Sequence, residues 1–172
     1  MKKVTLLTIS LVLILSLNSC DQRSQSVNAD GYTEIKTTEF TIFPNDWNLD
    51  KNLSTKWVFT KNISSITNSI ETNGFVLIYM KAGNAQTWTS LPYTFLDRDT
   101  KGNFFSTEYS AWWGVGKVEI QFTDTHPTSP LKPDLATYIK VVTAIDVAPS
   151  LMPSKKEYSN YENAKKILNL KD

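Results

Sequence analysis

The acidic segment at residues 97–102 comes closest to a metal-binding pattern in this 172-residue chain. It reads Asp-Arg-Asp-Thr-Lys-Gly, and Glu108 follows six residues after Gly102. Calcium loops of the helix–loop–helix type place oxygen ligands at the first, third, fifth and twelfth positions and a glycine at the sixth. The fifth position here is Lys101, whose positive charge opposes a cation, and both flanks have the composition of strands. We therefore predict a polar hairpin loop and no metal.

His126 is the only histidine, and it lies in a proline-rich segment, residues 123–133. A zinc site of ordinary composition needs several histidines or cysteines, so this chain cannot build one. A Ser-His-Asp triad could combine His126 with Asp124 and one of many serines, but the Gly-x-Ser-x-Gly motif is absent. The phosphate-binding glycine loop is absent as well. The sequence therefore predicts no catalytic residue and no cofactor.

Trp112 and Trp113 are adjacent, which is unusual for a strand because neighbouring side chains there point to opposite faces. Two interpretations follow. Either both faces are covered and both rings pack in a core, or one ring is exposed. An exposed ring, with Tyr109 nearby, would offer a flat apolar platform for a sugar ring or a partner protein. Trp112, Trp113 and Tyr109 are therefore the candidate ligand-binding residues.

The charge balance argues against a nucleic-acid partner. The chain has 18 lysines plus arginines and 17 acids, for a net charge of +1. Surfaces that attract nucleic acid or anionic lipid are strongly basic. The 41% apolar and 12% aromatic composition is that of a globular, strand-rich domain.

Residues 1–19 have the organisation of a signal peptide. Lys2 and Lys3 precede an apolar segment, residues 6–17, that is too short to cross a bilayer comfortably, because a spanning helix needs about 20 residues. The segment ends in Leu-Asn-Ser-Cys, which resembles the lipobox of bacterial lipoproteins, with the cysteine at Cys20. The alternative is an ordinary secretory signal followed by an incidental cysteine. The resemblance implies a diacylglycerol on the Cys20 sulfur, usually with a further acyl chain on nitrogen.

A lipid anchor at Cys20 agrees with the rest of the N-terminal region. Cys20 is the only cysteine, so no intramolecular disulfide can form. One acyl chain anchors only marginally, at about 0.8 kcal/mol per buried CH₂, so stable attachment takes more than one. Residues 20–31 are polar, with Val27 as the one larger apolar side chain, and we expect a flexible tether. The mature protein is then expected to be anchored to a cell-envelope membrane, with the outer membrane favoured, on its periplasmic side or at the cell surface.

Residues 75–80 form an unbroken apolar run, Phe-Val-Leu-Ile-Tyr-Met, bounded by turn residues. A strand with one wet face would alternate, so this run predicts a strand covered on both faces. Residues 86–95 are expected to return beside it as the second arm of a hairpin. Residues 117–122 alternate cleanly and predict one dry face of Val118, Ile120 and Phe122. Further strands are predicted at residues 39–43, 56–60, 104–111 and 136–145.

Two short helices are expected. Ile63, Ile66 and Ile70 share one helical face, with Asn62 as the N-cap and the Asn-Gly pair at Gly74 as the stop. Near the C-terminus, Ser159 and Glu162 match a capping box. Helical spacing then continues for about three turns through Tyr161, Ala164, Ile167 and Leu168, with Lys165 and Lys166 on the wet side.

These elements predict an all-β protein, an antiparallel β-sandwich of about seven strands with a short crossing helix and a C-terminal helix. The expected organisation is a signal peptide at residues 1–19 and a tether at 20–31. The sandwich domain follows at residues 32–150, and a linker with the terminal helix at 151–172.

The chain also resembles a family of short, uncharacterised bacterial lipoproteins with an all-β body. The resemblance covers most of the mature chain and supports the fold and the envelope location, and it implies no activity. The residues that carry it are Asp46-Trp47, Ile66-Thr67, Ile70, Asn73-Gly74, residues 76–81, Trp88, Leu91-Pro92-Tyr93-Thr94, Gly116-Lys117-Val118, residues 138–142 and residues 161–166.

The sequence thus favours a lipid-anchored envelope protein without catalytic activity that binds a protein or a glycan. A structural subunit of an envelope assembly is one alternative, and a hydrolase is a less favoured one.

Overall fold

A computed structural model describes residues 23–25, 34–126, 131–145, 157–168 and 170. It contains two antiparallel β-sheets and two short α-helices, one of them C-terminal, which confirms the predicted all-β sandwich. In chain order the strands are β1 (Arg23–Gln25), β2 (Glu34–Ile42), β3 (Asn48–Leu49), β4 (Lys56–Asn62), β5 (Gly74–Ala82), β6 (Thr89–Ser90), β7 (Tyr93–Arg98), β8 (Phe104–Gly114), β9 (Lys117–Asp124) and β10 (Thr137–Ile145). The helices are α1 (Asn68–Asn73) and α2 (Tyr161–Ile167), and a 3₁₀ turn spans Pro44–Asp46.

The strands are divided between two five-stranded sheets. The first sheet has the order β1-β2-β10-β5-β6, and the second has the order β3-β4-β9-β8-β7. Three of the strands are edge pieces of two or three residues, and the other seven have at least six residues each.

The main core lies between the sheets. Alternation in β9 buries Val118, Ile120 and Phe122, as the sequence predicted. The inward side chains of the first sheet meet them, among them Ile42, Ile78, Met80, Ile139 and Val141. Burying such aliphatic side chains contributes about 1.5–3 kcal/mol each before conformational entropy is subtracted.

A second core on the far side of the first sheet confirms that residues 75–80 are covered on both faces. The β5 side chains that point away from the main core, including Phe75, Leu77 and Tyr79, pack under the C-terminal segment. Tyr79 is fully buried, and its ring meets the Tyr161 ring edge to face at 5.3 Å.

The crossing helix is shorter than predicted, and the predicted N-cap, Asn62, is wrong. Asn62 is the last residue of β4, and the helix begins after Thr67, whose side-chain oxygen accepts a hydrogen bond from the Ile70 backbone N–H. Ile63 and Ile66 are buried in the loop before the helix, which hydrogen-bonds to the β8–β9 turn. The end of the helix at Gly74 is as predicted.

The C-terminal helix begins one residue later than predicted. Asn160, not Ser159, is the N-cap, and its side chain accepts from the Glu162 backbone N–H at 2.7 Å. The α-helical stretch has seven residues, about two turns at 3.6 residues per turn rather than three. Leu168 is buried as expected, but Ile167 is 40% exposed.

The predicted hairpin partner of β5, residues 86–95, is split between the two sheets. Only Thr89 and Ser90 pair with β5. At Leu91-Pro92, which has a cis peptide bond, the chain crosses to the second sheet and continues as β7 beside β8. Proline cannot donate a ladder hydrogen bond, so the first pairing ends there.

Arg23–Gln25 pairs with Thr37–Ile35 as an edge strand, although the polar composition of residues 20–31 predicted a tether. The predicted signal peptide, Cys20 and residues 151–156 of the predicted linker lie outside the described residues. Among the helices of the described part, none is long and apolar enough to cross a bilayer.

Candidate functional site

Trp112 and Trp113 both lie near the end of β8, on opposite faces of the second sheet. Trp112 points away from the main core and is 68% exposed. Trp113 points toward the space between the sheets, opposite Val118 of β9, and remains 39% exposed because it stands at the end of the sandwich. The two rings therefore do not form one platform, and the exposed ring suited to a flat ligand is that of Trp112.

Tyr109 does not lie beside Trp112, because its side chain is on the opposite, inner face of the second sheet. It is 5% exposed and packs against Phe122, with ring centres 4.9 Å apart, and against Trp47 at 6.3 Å. Burial raises the pKa of Tyr109, the negative charge of Asp134 raises it further, and the Thr137 hydroxyl opposes the shift. Tyr109 is thus a core residue whose side chain faces the inside of the sandwich.

The nearest cross-strand neighbours of Trp112 are polar. Outward side chains of the second sheet alternate with core residues, and Trp112 stands directly across from Glu119 of β9. Ser110 and Gln121 form the next pair on the same face. The Gln121 amide donates to the Glu119 carboxylate at 2.7 Å, which orients both groups beside the indole. We name Trp112, Ser110, Glu119 and Gln121 the Trp112 face.

A cleft of about 360 Å³ opens at the edge of the main core, between the inner face of β7 and β8 and the loop at residues 131–135. Most of its wall is apolar, and a smaller part consists of hydroxyl, carboxylate and ammonium groups. It is lined by Ala82, Phe95, Asp97, Phe105, Thr107, Tyr109, Phe122, Asp124, Leu131, Lys132, Pro133, Asp134 and Leu135. We name it the β7–β8 cleft.

Asp124 holds the loop that closes one side of this cleft. Its carboxylate is fully buried at the end of β9 and accepts hydrogen bonds from the backbone N–H groups of His126, at 2.8 Å, and Leu131, at 2.7 Å. The two bonds join the start of the loop to its far side. A buried carboxylate without hydrogen bonds would be destabilising. The two backbone hydrogen bonds satisfy Asp124 and hold the loop in place.

The backbone N–H of His126 donates to the Asp124 carboxylate. The imidazole packs edge to face on Phe105, with ring centres 4.9 Å apart. His126 is not among the residues that line the cleft. These contacts describe a residue that supports the loop.

The predicted hairpin loop at residues 97–102 joins β7 to β8, as expected. One Asp99 oxygen accepts from the backbone N–H groups of Lys101 and Asn103, and the other accepts from the Asn103 amide, each bond being 2.8 Å. These hydrogen bonds, those from Asn103 first, lower the pKa of Asp99. In the described part of the chain, no group of three or more histidine, cysteine or acidic residues could hold a metal ion.

The β7–β8 cleft was not predicted from the sequence. Its walls come from β5, β7, β8, β9 and a loop, which are far apart in the chain. The only local signal was Asp124, an acidic residue at the end of an alternating strand. It lies on the same buried face as Val118, Ile120 and Phe122. A charged residue at a core position needs hydrogen-bond partners, and here the following loop provides them.

Comparisons of the chain with protein-family models, with curated proteins and with solved structures find no match. The resemblance to bacterial lipoproteins therefore stays a prediction from the sequence.

Proposed function

We propose that this protein is a lipid-anchored cell-envelope module without catalytic activity, and that it binds a glycan through the Trp112 face. The observation that carries the proposal is an indole 68% exposed on an open sheet surface. Tryptophan is enriched at binding interfaces because its ring has a large apolar face and a polar N–H group, and here the polar side chains of Glu119 and Gln121 stand beside it.

The composition of the Trp112 face favours a sugar over a protein partner. The apolar face of a sugar ring can stack on a flat indole while its hydroxyl groups bond to neighbouring polar side chains. Glu119, Gln121 and Ser110 supply acceptors and donors next to the ring. The centre of a protein interface is instead depleted in charged residues, and Glu119 stands directly across from Trp112.

A glycan array tests this surface. Trp112→Ala is expected to lose most of its binding, because stacking cannot be replaced by a methyl group. Leu96→Ala is the matched control, since Leu96 is 74% exposed on the same outer surface, about 20 Å away along β8 at 3.3 Å per residue. Equal binding by Trp112→Ala and the parent protein would exclude the Trp112 face, and capture of a protein in place of any glycan would favour the other partner class. Recovery of the bound glycan uncleaved supports a role without catalysis.

The anchor is tested separately by Cys20→Ala. We expect the parent protein to sediment with membranes and to label with palmitate, and the variant to do neither. A variant that still partitions with lipid would contradict the anchor without bearing on the glycan.

An assembly subunit is a second candidate, favoured by the edge strand β7. Within the described residues β7 pairs only with β8, and it exposes Leu96 and, in part, Tyr93 and Phe95. Such an edge can add a strand from another chain. Mass measurement in solution would separate the candidates, since a monomer at high concentration counts against self-assembly.

A further inference from the structure

We propose that the β7–β8 cleft binds a small organic cation, an amine with an apolar body. This site is separate from the Trp112 face, and the proposal does not depend on the glycan. A volume of about 360 Å³ lies within the range of sites for small molecules.

The apolar part of the ligand is indicated by the cleft walls. The rings of Phe95, Phe105, Tyr109 and Phe122 line it together with aliphatic side chains of the loop. Aromatic rings carry negative charge on their faces, so they favour a cation as well as an apolar body.

The polar groups in the cleft indicate the charge of the ligand. Asp97 and Asp134 both line it, and within the described part of the chain neither carboxylate forms an ion pair. Lys132 is the one basic residue in the lining, and its ammonium lies over the Trp57 ring, 5.3 Å from the ring centre. One oxygen of Asp97 accepts a hydrogen bond from the Arg98 backbone N–H at 2.7 Å. The other Asp97 oxygen and the Asp134 carboxylate can accept from a positively charged ligand.

Thr107 adds a second, independent indication. It is 5% exposed and lines the cleft, and its hydroxyl has no hydrogen-bond partner among the described residues. Because Thr107 lines the cleft, its hydroxyl is accessible to a ligand bound there. A hydroxyl accepts hydrogen bonds and an ammonium group donates three, so an amine would satisfy Thr107 and the carboxylates together.

The test uses three matched probes: 4-phenylbutylamine, 4-phenylbutyrate and 4-phenylbutanol. They are titrated into the full chain carrying Cys20→Ala, and binding is followed by amide-detected NMR. We expect the amine to shift resonances of β7, β8 and residues 131–135, with affinity about tenfold higher than the alcohol, and the carboxylate to bind most weakly. Raising the salt concentration should lower the affinity for the amine and leave the affinity for the alcohol unchanged.

Asp97→Asn and Asp134→Asn should each lower the affinity for the amine about three- to tenfold, with little effect on the affinity for the alcohol. Thr107→Val keeps the shape and should also weaken the amine. Glu108→Gln is the matched control, because Glu108 is on the same strand as Thr107 but faces outward. Asp97 and Asp134 are both exposed and lie outside the buried core, so these variants should fold.

Three outcomes would overturn the proposal. The first is equal affinity for the amine and the carboxylate, the second is resonance shifts that map outside the cleft, and the third is no binding of any probe at millimolar concentration. Loss of glycan binding in Trp112→Ala with amine binding intact would show that the two sites are distinct.

Discussion

The ammonium group of Lys140 lies 3.7 Å from the centre of the Tyr161 ring, and this contact joins the central strand of the first sheet to the C-terminal helix. The same ammonium forms an ion pair with Glu39 at 3.0 Å and lies 4.7 Å from the centre of the Trp88 ring. Lys140 is only 7% exposed, so water competes weakly for these contacts. The helix is thus held by a buried cation as well as by apolar packing.

Lys140→Met should lower the free energy of unfolding by about 1–2 kcal/mol, because it keeps the stem but removes a desolvated cation from two rings. Denaturation with urea, followed by circular dichroism, measures the change. Lys36→Met is the control, since its ion pair with Glu34 is more exposed and should contribute no more than about 1 kcal/mol. Equal costs for the two variants would show that the rings around Lys140 add nothing.

Leu168→Ala should lower the free energy of unfolding by about 2–5 kcal/mol. Leu168 is 1% exposed in the second core, so truncation leaves a cavity. Its neighbour Ile167 is 40% exposed, and Ile167→Ala should cost less than about 1 kcal/mol. The comparison is made by thermal and urea unfolding. If both variants behaved alike, the C-terminal helix would not be docked through the face that contains Leu168.

Gly74→Ala should destabilise the protein by about 1–3 kcal/mol. An added methyl group at the start of β5 would collide with the carbonyl oxygen of Ala144 on β10, and backbone cannot move aside as a side chain can. At Gly114 nothing lies within 4 Å of the same methyl group, so Gly114→Ala should be neutral or slightly stabilising. Urea midpoints measure both, and a neutral Gly74→Ala would contradict the close approach of β5 and β10.

Stability should fall as the pH rises above 10. Burial, and then the charge of Tyr161, raises the pKa of Tyr79 above its ordinary value of 10.0. Above pH 10 the unfolded chain loses the Tyr79 proton while the folded protein keeps it, so the folded state binds more protons and the free energy of unfolding falls by up to about 1.4 kcal/mol per pH unit. The contribution is complete below pH 10 and is lost as the pH approaches the raised value.

Tyr79→Phe tests this directly. It should lower the free energy of unfolding by about 1 kcal/mol at neutral pH, because the Tyr79 hydroxyl donates to the Tyr158 carbonyl at 3.1 Å. It should also reduce the alkaline decline, part of which remains because burial raises the pKa of Tyr109 as well. Tyr138→Phe is the control, since Tyr138 is 37% exposed and should leave the decline unchanged. Stability measured between pH 8 and pH 11 in all three proteins decides the question.

Local patterns in the sequence determined most of the elements. The apolar run at residues 75–80 predicted a strand covered on both faces, because alternation is lost only when neither face meets water. The alternation at residues 117–122 predicted the dry face of β9, since the period of a strand is fixed by the backbone. Asn73-Gly74 predicted the end of α1, because a glycine just after the last helical residue is a common helix stop. The beginning of the helix at Thr67 was missed, because Ile63 and Ile66 are buried in a loop and not in a helix.

Only the tertiary structure decided which segments meet. The local sequence of residues 86–95 does not indicate that they leave β5 at Pro92 and pair with β8. That crossing depends on pairing with strands far along the chain. The exposure of Trp112, the burial of Tyr109 and the cleft that joins Thr107 to Asp134 depend on the same long-range pairing. A sequence pattern sets the period of an element and where it ends, but which face is covered depends on the residues that fold against it.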